Sequence, residues 1–489
     1  MKMEENRKIM EFLRDYDNKK SIRFHMPGHK GKNMSSLKEI FPSLDITEIN
    51  GSDNLHFPNG IIRNSERRAA KAYGAKETLF MVNGSTSSIY TAINGVVAPG
   101  EKILIQRDSH KAAYNALLLG GIEAEYIYPE YDEELQMNLG LLYEKLENKL
   151  KRYLLDNKIK AIFLTHPNYY GVSSDLEKII ELAHIYDKIV IVDEAHGSHL
   201  LLDDRLPKSA IEYGADIVIH SIHKTMVGLT QTSLLHICSN RVDIEKIRSM
   251  ARIYQSSSPS YLLMASLDLN TEYILKDAKK DMKNHIDRLQ KLIYSDDSNS
   301  VFNKELFIIN EDIIKKKGFN FDLTKIIFSM KNYSGKFIEQ KLREEYNIEI
   351  EMSDHRYGVA ISTLVDEEKD LKRLIESLKS ISTKIYSEDD ILYRKDNIEY
   401  AKNILNDYEK PLKKMSIREA FYSEKEEIDY LNAIGRIAGD IIAPYPPGIP
   451  ILTYGEEISE KIVKKLEYID SRGINIEGMN DKKIKLIME

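Results

Sequence analysis

Between residues 63 and 290 the chain alternates short apolar runs with segments of helical length, and this rhythm constrains the fold more than any other feature. The apolar runs lie at 78–82 (TLFMV), 102–106 (KILIQ), 124–128, 161–165 (AIFLT), 189–193 (IVIVD) and 217–220 (IVIH). Helical segments are expected at 66–72, from the turn NGSTSSIYTAINGVV, from RDSHKAAYNALLLGG, across 138–155 and at 176–186. Apolar strands separated by helices of this length build a mostly parallel sheet covered on both faces.

The chain has 489 residues, room for about three domains at ~150 residues each. Four regions are expected. Residues 1–62 carry a short amphipathic helix at 4–15 and a His-, Gly- and Pro-rich stretch from 21, read either as binding loops or as a plain surface arm. Residues 63–290 are the α/β domain. Residues 291–385 look like a smaller α/β unit, with strands at 325–328 and 357–362 and helices at 335–346 and 367–381. Residues 386–489 form a third unit, whose segment IIAPYPPGIPILTYGEEI is stiff and non-helical because proline removes donors and restrains its neighbour.

Charge argues against one class of partner. Lys plus Arg is 70 and Asp plus Glu is 77, a net charge of −7, whereas nucleic-acid binders carry a basic footprint. Cys238 is the single cysteine, so neither an intrachain disulfide nor a thiolate metal cage can form. The charged N-terminus lacks an apolar signal region, and no segment approaches 18 uncharged apolar residues. A cytoplasmic protein with no membrane partner is expected.

In α/β sheets, functional residues collect beyond the C-terminal ends of strands. Four places meet that description. Ser85 and Thr86 follow TLFMV in a Gly-Ser-Thr turn that opens a helix, which suits a phosphate or merely caps the helix. His110 follows KILIQ. Asp193 ends IVIVD and leads into EAHGSH. Lys224 follows IVIHSIH, beside His223; a lysine so close to an apolar strand suits an amine that is neutral or tied up as an imine. A phosphate cup, a ring-contacting histidine, a carboxylate and an imine-forming lysine together are what pyridoxal 5′-phosphate requires.

At these residues the chain resembles the short bacterial members of the Orn/Lys/Arg decarboxylase group, within the aspartate-aminotransferase-like, fold type I pyridoxal-phosphate enzymes. The matching pieces are FHMPGHKG, DITEINGSDNLHFPNG, NGSTSSIYTAI, RDSHKAAYNAL, THPNYYGVSSDL, VDEAHGSH, SIHKTMVGLTQTSLLH, QSSSPSYLLMASLD and PYPPGIP, spread from residue 24 to residue 450. The resemblance implies a seven-stranded, mostly parallel sheet in the large domain. It implies that Lys224 anchors the cofactor, Asp193 pairs with the pyridine nitrogen, His196 lies near the 3′-oxygen and His110 stacks on the ring. Ser85, Thr86, Ser221 and His223 would grip the phosphate, and Ser257 would reach the phosphate of a neighbouring subunit, which implies a homodimer or an assembly of dimers. His25, His29 and Lys30 would line or cover the site. The large relatives carry an N-terminal wing ahead of HMPGHKG, and this chain is expected to lack it. Asn59 and Tyr454 stand where the family more often has an acid and a proline.

The implied reaction is decarboxylation of a basic amino acid: arginine to agmatine, in polyamine synthesis, with lysine to cadaverine and ornithine to putrescine as alternatives. A basic substrate calls for an acidic group at the far end of the pocket, and no single carboxylate stands out for it. Three other readings stay open. One is a metal hydrolase using His196 and His199, or His220 and His223, with Asp193. Another is a different fold type I reaction. The third is a catalytically silent relative that still binds the cofactor.

Overall fold

The computed structural model describes residues 18, 20–24, 30, 48, 53–294, 305–331, 333–384, 410–445, 448–471 and 473–488. The expected helix at 4–15 lies outside them.

The large domain is built on seven strands: β1 (Glu77–Met81), β2 (Lys102–Gln106), β3 (Glu123–Ile127), β4 (Ile159–Thr165), β5 (Ile189–Asp193), β6 (Ile217–Ser221) and β7 (Ser233–Ile237). Their order across the sheet is β1-β7-β6-β5-β4-β2-β3. The pairs β6–β5, β5–β4, β4–β2 and β2–β3 are parallel, and only β7 runs against its neighbours. The sheet is thus the mostly parallel, seven-stranded one that the family resemblance implied. β7 completes the apolar stretch after Lys224, and a tight return through residues 226–232 makes it antiparallel.

Strand residues alternate between two cores, as a pleat requires. Ile103, Ile105, Phe163, Ile191, Ile217 and Ile219 join one cluster with helices α1 (Gly84–Val96) and α2 (Lys111–Gly120). Leu104, Ile162, Leu164, Val190, Val192 and Val218 join the opposite cluster with α3 (Tyr143–Leu154) and α4 (Glu177–Ile185). The single helix expected at 138–155 is corrected: Met137–Gly140 is a strand paired with Glu130–Asp132, and the helix starts only at Tyr143. Gly140 is the physical reason, because it favours a break over a helix interior. The helix expected at 66–72 instead spans Ile61–Tyr73.

The small domain carries an antiparallel sheet in the order Leu306–Ile308, Lys325–Met330, Gly358–Ile361, Met352–Ser353, with helices Gly335–Tyr346 and Glu368–Thr383. Ile22–Phe24 pairs in parallel with Ile348–Ile350, so part of the polar arm is a strand of this domain. The C-terminal unit has the antiparallel strands Lys425–Asp429, Lys483–Ile487 and Met479–Asn480, and the helix Glu460–Ser471. Among the described residues no helix is long and apolar enough to cross a membrane.

Candidate active site

The carboxyl ends of the parallel strands open onto one cavity of about 630 Å³. Its wall brings together Ser85, Thr86, Asp108, His110, Thr165, Asp193, His196, His223 and Lys224 from the large domain. Glu351 comes from the small domain, and Tyr445 and Ile449 come from the Pro-rich C-terminal segment.

The Ser85–Thr86 turn has the character of an anion cup. Gly84 starts α1 at φ 78°, a conformation that excludes most side chains. Asn83 at the N-cap makes no side-chain capping bond, and the first turn holds no acidic residue. The N–H groups of that turn and the positive end of the helix dipole are therefore presented to the cavity. The turn is held from behind, where the Gly84 N–H donates to Gln231 O at 2.9 Å and Gln231 Nε2 donates to Val82 O at 2.7 Å.

Asp193 is buried at the end of β5, and its Oδ1 accepts the Ala195 N–H at 3.1 Å. Burial raises its carboxyl, while Lys224 opposes that by favouring the anion. Glu194 points behind the sheet, where it accepts from Ser209 Oγ at 2.6 Å and lies 2.9 Å from His220 Nε2. His220 continues through His236 to Thr78. This buried network fixes the turn that presents Asp193.

Lys224 lies one short turn beyond β6. Burial lowers its amine, with Asp193 and Glu351 acting in the opposite direction. Its Nζ is 3.2 Å from His196 Nε2. The Tyr169 ring stands edge-on to His196, with centroids 4.7 Å apart, and Tyr169 donates its hydroxyl to Glu351 Oε1 at 2.5 Å. His110 caps α2, its Nδ1 accepting the Ala112 N–H at 3.2 Å. Burial, then the charges of Lys224 and Lys111, push the His110 imidazole down to about 3, so the ring is neutral at physiological pH.

Ser221 is fully buried behind this wall and does not line the cavity, and among the described residues its Oγ has no hydrogen-bond partner. His223 lines the cavity with its Nδ1 3.0 Å from Thr232 O. Ser257 is exposed and outside the cavity wall. Lys30 is buried with its Nζ donating to Ile361 O at 3.0 Å, and the structure does not bring it to the cavity wall. His25 and His29 lie outside the described residues. Asn59 gives its backbone N–H to Asp53 Oδ1 at 3.0 Å, in a turn gathered around that carboxylate. His199 is bonded to Asp322 and His220 to Glu194, so the histidines of a metal site face different partners.

An aldehyde-bearing, phosphorylated pyridine fits this arrangement. The uncapped helix start suits a phosphate, Asp193 suits a ring nitrogen, and Lys224 suits an aldehyde carbon.

Several wall residues were not legible beforehand. Glu351 sits in NIEIEMSD, where alternation of apolar and acidic residues reads as a half-buried strand with solvated acids. Asp108 lies two residues before His110 and the strand-end rule could have found it. Burial pushes its carboxyl up to about 6, and Gln106 Nε2 donates to it at 2.8 Å. Tyr445 and Ile449 carry no local signal beyond the stiffness of their segment.

Residues 8–339 match the family model "Orn/Lys/Arg decarboxylase, major domain", and residues 404–475 match that family's C-terminal domain. The chain is similar to an arginine decarboxylase of Bacillus subtilis, 34% identical over 97% of this chain and 96% of that protein. An arginine decarboxylase of Bacillus anthracis is likewise 34% identical, over 97% and 95%. Among solved structures, lysine decarboxylase A from Pseudomonas aeruginosa superposes with a TM-score of 0.76 at 18% identity, over 90% of this chain and 73% of that one. The Francisella novicida lysine decarboxylase LdcF gives 0.74 at 18%, over 87% and 71%. At that identity the two structures speak for the fold alone.

Proposed function

The chain belongs to the Orn/Lys/Arg decarboxylase family, enzymes that decarboxylate a basic amino acid with pyridoxal 5′-phosphate, and from that premise we propose L-arginine as its substrate, with agmatine and carbon dioxide as products. The observation that carries this choice is the end-to-end likeness to arginine decarboxylases, at 34% identity over 97% of the chain.

We propose that Lys224 anchors the cofactor, that Ser85, Thr86, Ser221 and His223 hold its phosphate, and that Asp193 keeps a proton on its ring nitrogen. When bound, the cofactor supplies a conjugated sink for the electron pair left by departing carbon dioxide. Asp193, buried beside Lys224 whose charge favours its anion, would stabilise positive charge at the ring nitrogen in a low-dielectric site. His110, neutral, packs against the ring without adding charge. His196 holds the 3′-oxygen side of the site. Lys224 would also stand in the same cavity to return a proton to Cα.

Glu351 reads the far end of the substrate. It enters from the small domain while Lys224 and Asp193 enter from the large one, and the Tyr169 hydroxyl orients it. A carboxylate held this way suits the planar guanidinium of arginine. Ser257, exposed on this chain, belongs to the cofactor site of a second copy, which makes the enzyme a dimer at least. The single cysteine fits a reducing, cytoplasmic setting.

The test is turnover of arginine, lysine and ornithine in separate assays of cofactor-loaded enzyme, with the amine identified by mass and visible absorbance read in the same sample. Agmatine as dominant product supports the proposal. Cadaverine or putrescine overturns the substrate and leaves the site assignment standing.

A further inference from the structure

Lys325 opens a central strand of the small domain, and its side chain is fully buried. Its stem presses against Gly171, where φ is +75° and a Cβ would meet Lys325 Cγ at 2.6 Å. Its Nζ lies 3.1 Å from His196 Nδ1, while His196 Nε2 lies 3.2 Å from Lys224 Nζ. One imidazole is therefore clamped between two lysine nitrogens from different domains.

Counting donors shows what this clamp allows. An ammonium only donates, and a neutral imidazole has one N–H and one lone pair. Two ammonium groups would require His196 to accept on both sides, as an imidazolate. Both contacts can be hydrogen bonds at ordinary pH only if at least one lysine is a neutral amine. The surrounding charges are mixed. Lys325 faces Asp322 and Glu351, opposed by Lys224 and Lys30; Lys224 faces Asp193 and Glu351; His196 also faces His110 and His223. Burial, the largest influence, pulls the Lys325 amine down to about 8, so it can take up or release a proton near neutrality.

We propose that Lys325 is a positioning residue that shares one proton with Lys224 across His196 and so sets the charge on the Lys224 nitrogen. The transfer balances without a further reactant. Lys224 gives a proton to His196 Nε2 as His196 Nδ1–H passes to the Lys325 amine; Lys224 is left neutral and nucleophilic, and Lys325 becomes an ammonium. The proton stays within the Lys224–His196–Lys325 chain until Lys224 needs it again. This inference rests on the assignment of Lys224 as the cofactor anchor.

The experiment is a pH titration of the visible band of the holoenzyme, in wild type, Lys325→Met, His196→Asn and the double variant. Removing the positive neighbour raises the midpoint in Lys325→Met by about one pH unit. With His196 already replaced, the same substitution shifts the midpoint by less than half as much, because the coupling runs through the imidazole. Lys325→Gln carries the same test should the Met variant not fold. An unmoved midpoint, or equal shifts with and without His196, overturns the proposal. A wild type without a band, or a band that persists in Lys224→Ala, overturns the anchor assignment instead.

Discussion

Residues within one cavity wall do separable work, and substitution should separate them. Lys224→Ala is expected to lower turnover on the order of 10³-fold or more and to abolish the visible band. Asp193→Asn keeps the size of the side chain and removes its charge, so kcat should fall by about 10²–10³-fold while cofactor is still retained. Glu351→Gln removes the charge proposed to meet the substrate's far end, together with the charge that favours the ammonium forms of Lys224 and Lys325. A hydrogen bond to a charged group is worth about 1.5–3 kcal/mol, so kcat/KM should fall by roughly 10–100-fold, mostly through KM. Steady-state kinetics on all three variants checks these, and an unchanged KM in Glu351→Gln would remove it from the substrate pocket. Glu351 also shows the limit of local reading. Asp193 and Lys224 stand at strand ends, where topology marks them, but Glu351 is one acid among many in a half-buried strand until the small domain packs.

At the scale of elements, the first strand of the sheet is tied to two helices through charge. Arg63 grips Glu77 with both nitrogens, at 2.6 and 2.8 Å, and Arg248 adds a third contact at 3.0 Å. The Arg63 hydrogen bond leads in holding the Glu77 carboxyl below the ordinary carboxylate range; burial opposes it and the two arginine charges reinforce it. A carboxylate depressed on folding adds stability above the unfolded-chain value of about 4.3 and loses it as pH falls through the lowered native value. The site is partly exposed, so the gain is under about 1 kcal/mol. Melting curves of wild type and Glu77→Gln should therefore differ at pH 7 and converge towards pH 3. A gap that persisted at pH 3 would assign the effect to packing. The strands themselves were readable because two-sided burial demands continuous apolar runs. The missed strand Met137–Gly140 is short and mixed, and pairing with Glu130–Asp132 decided it.

At the scale of the whole molecule, the cavity needs all three units. The C-terminal unit supplies Tyr445 and Ile449 and is fastened to the large domain by a buried charge pair, Arg107 to Glu456 at 3.1 Å. Arg107 also donates to the carbonyls of Pro450 at 2.8 Å and Ile451 at 3.1 Å. Glu456→Gln would leave Arg107 buried without its counter-charge, a loss of about 3–5 kcal/mol. Denaturant unfolding should show it, together with weaker substrate binding as Tyr445 and Ile449 lose their seat. Stability equal to wild type would mean that the pair does not fasten the domain.

The sequence by itself determined six strands of the sheet, its mostly parallel direction and the strand-end positions of Ser85, His110, Asp193 and Lys224, because each follows from local periodicity and from where parallel strands stop. Only the tertiary structure decided which distant residues meet them. Glu351, Lys325 and Tyr445 lie far along the chain, and their local patterns are those of ordinary strands and loops. They join the site because the small and C-terminal units pack over the carboxyl edge of the sheet. That packing is set by the summed burial of many side chains, which no short segment of sequence expresses.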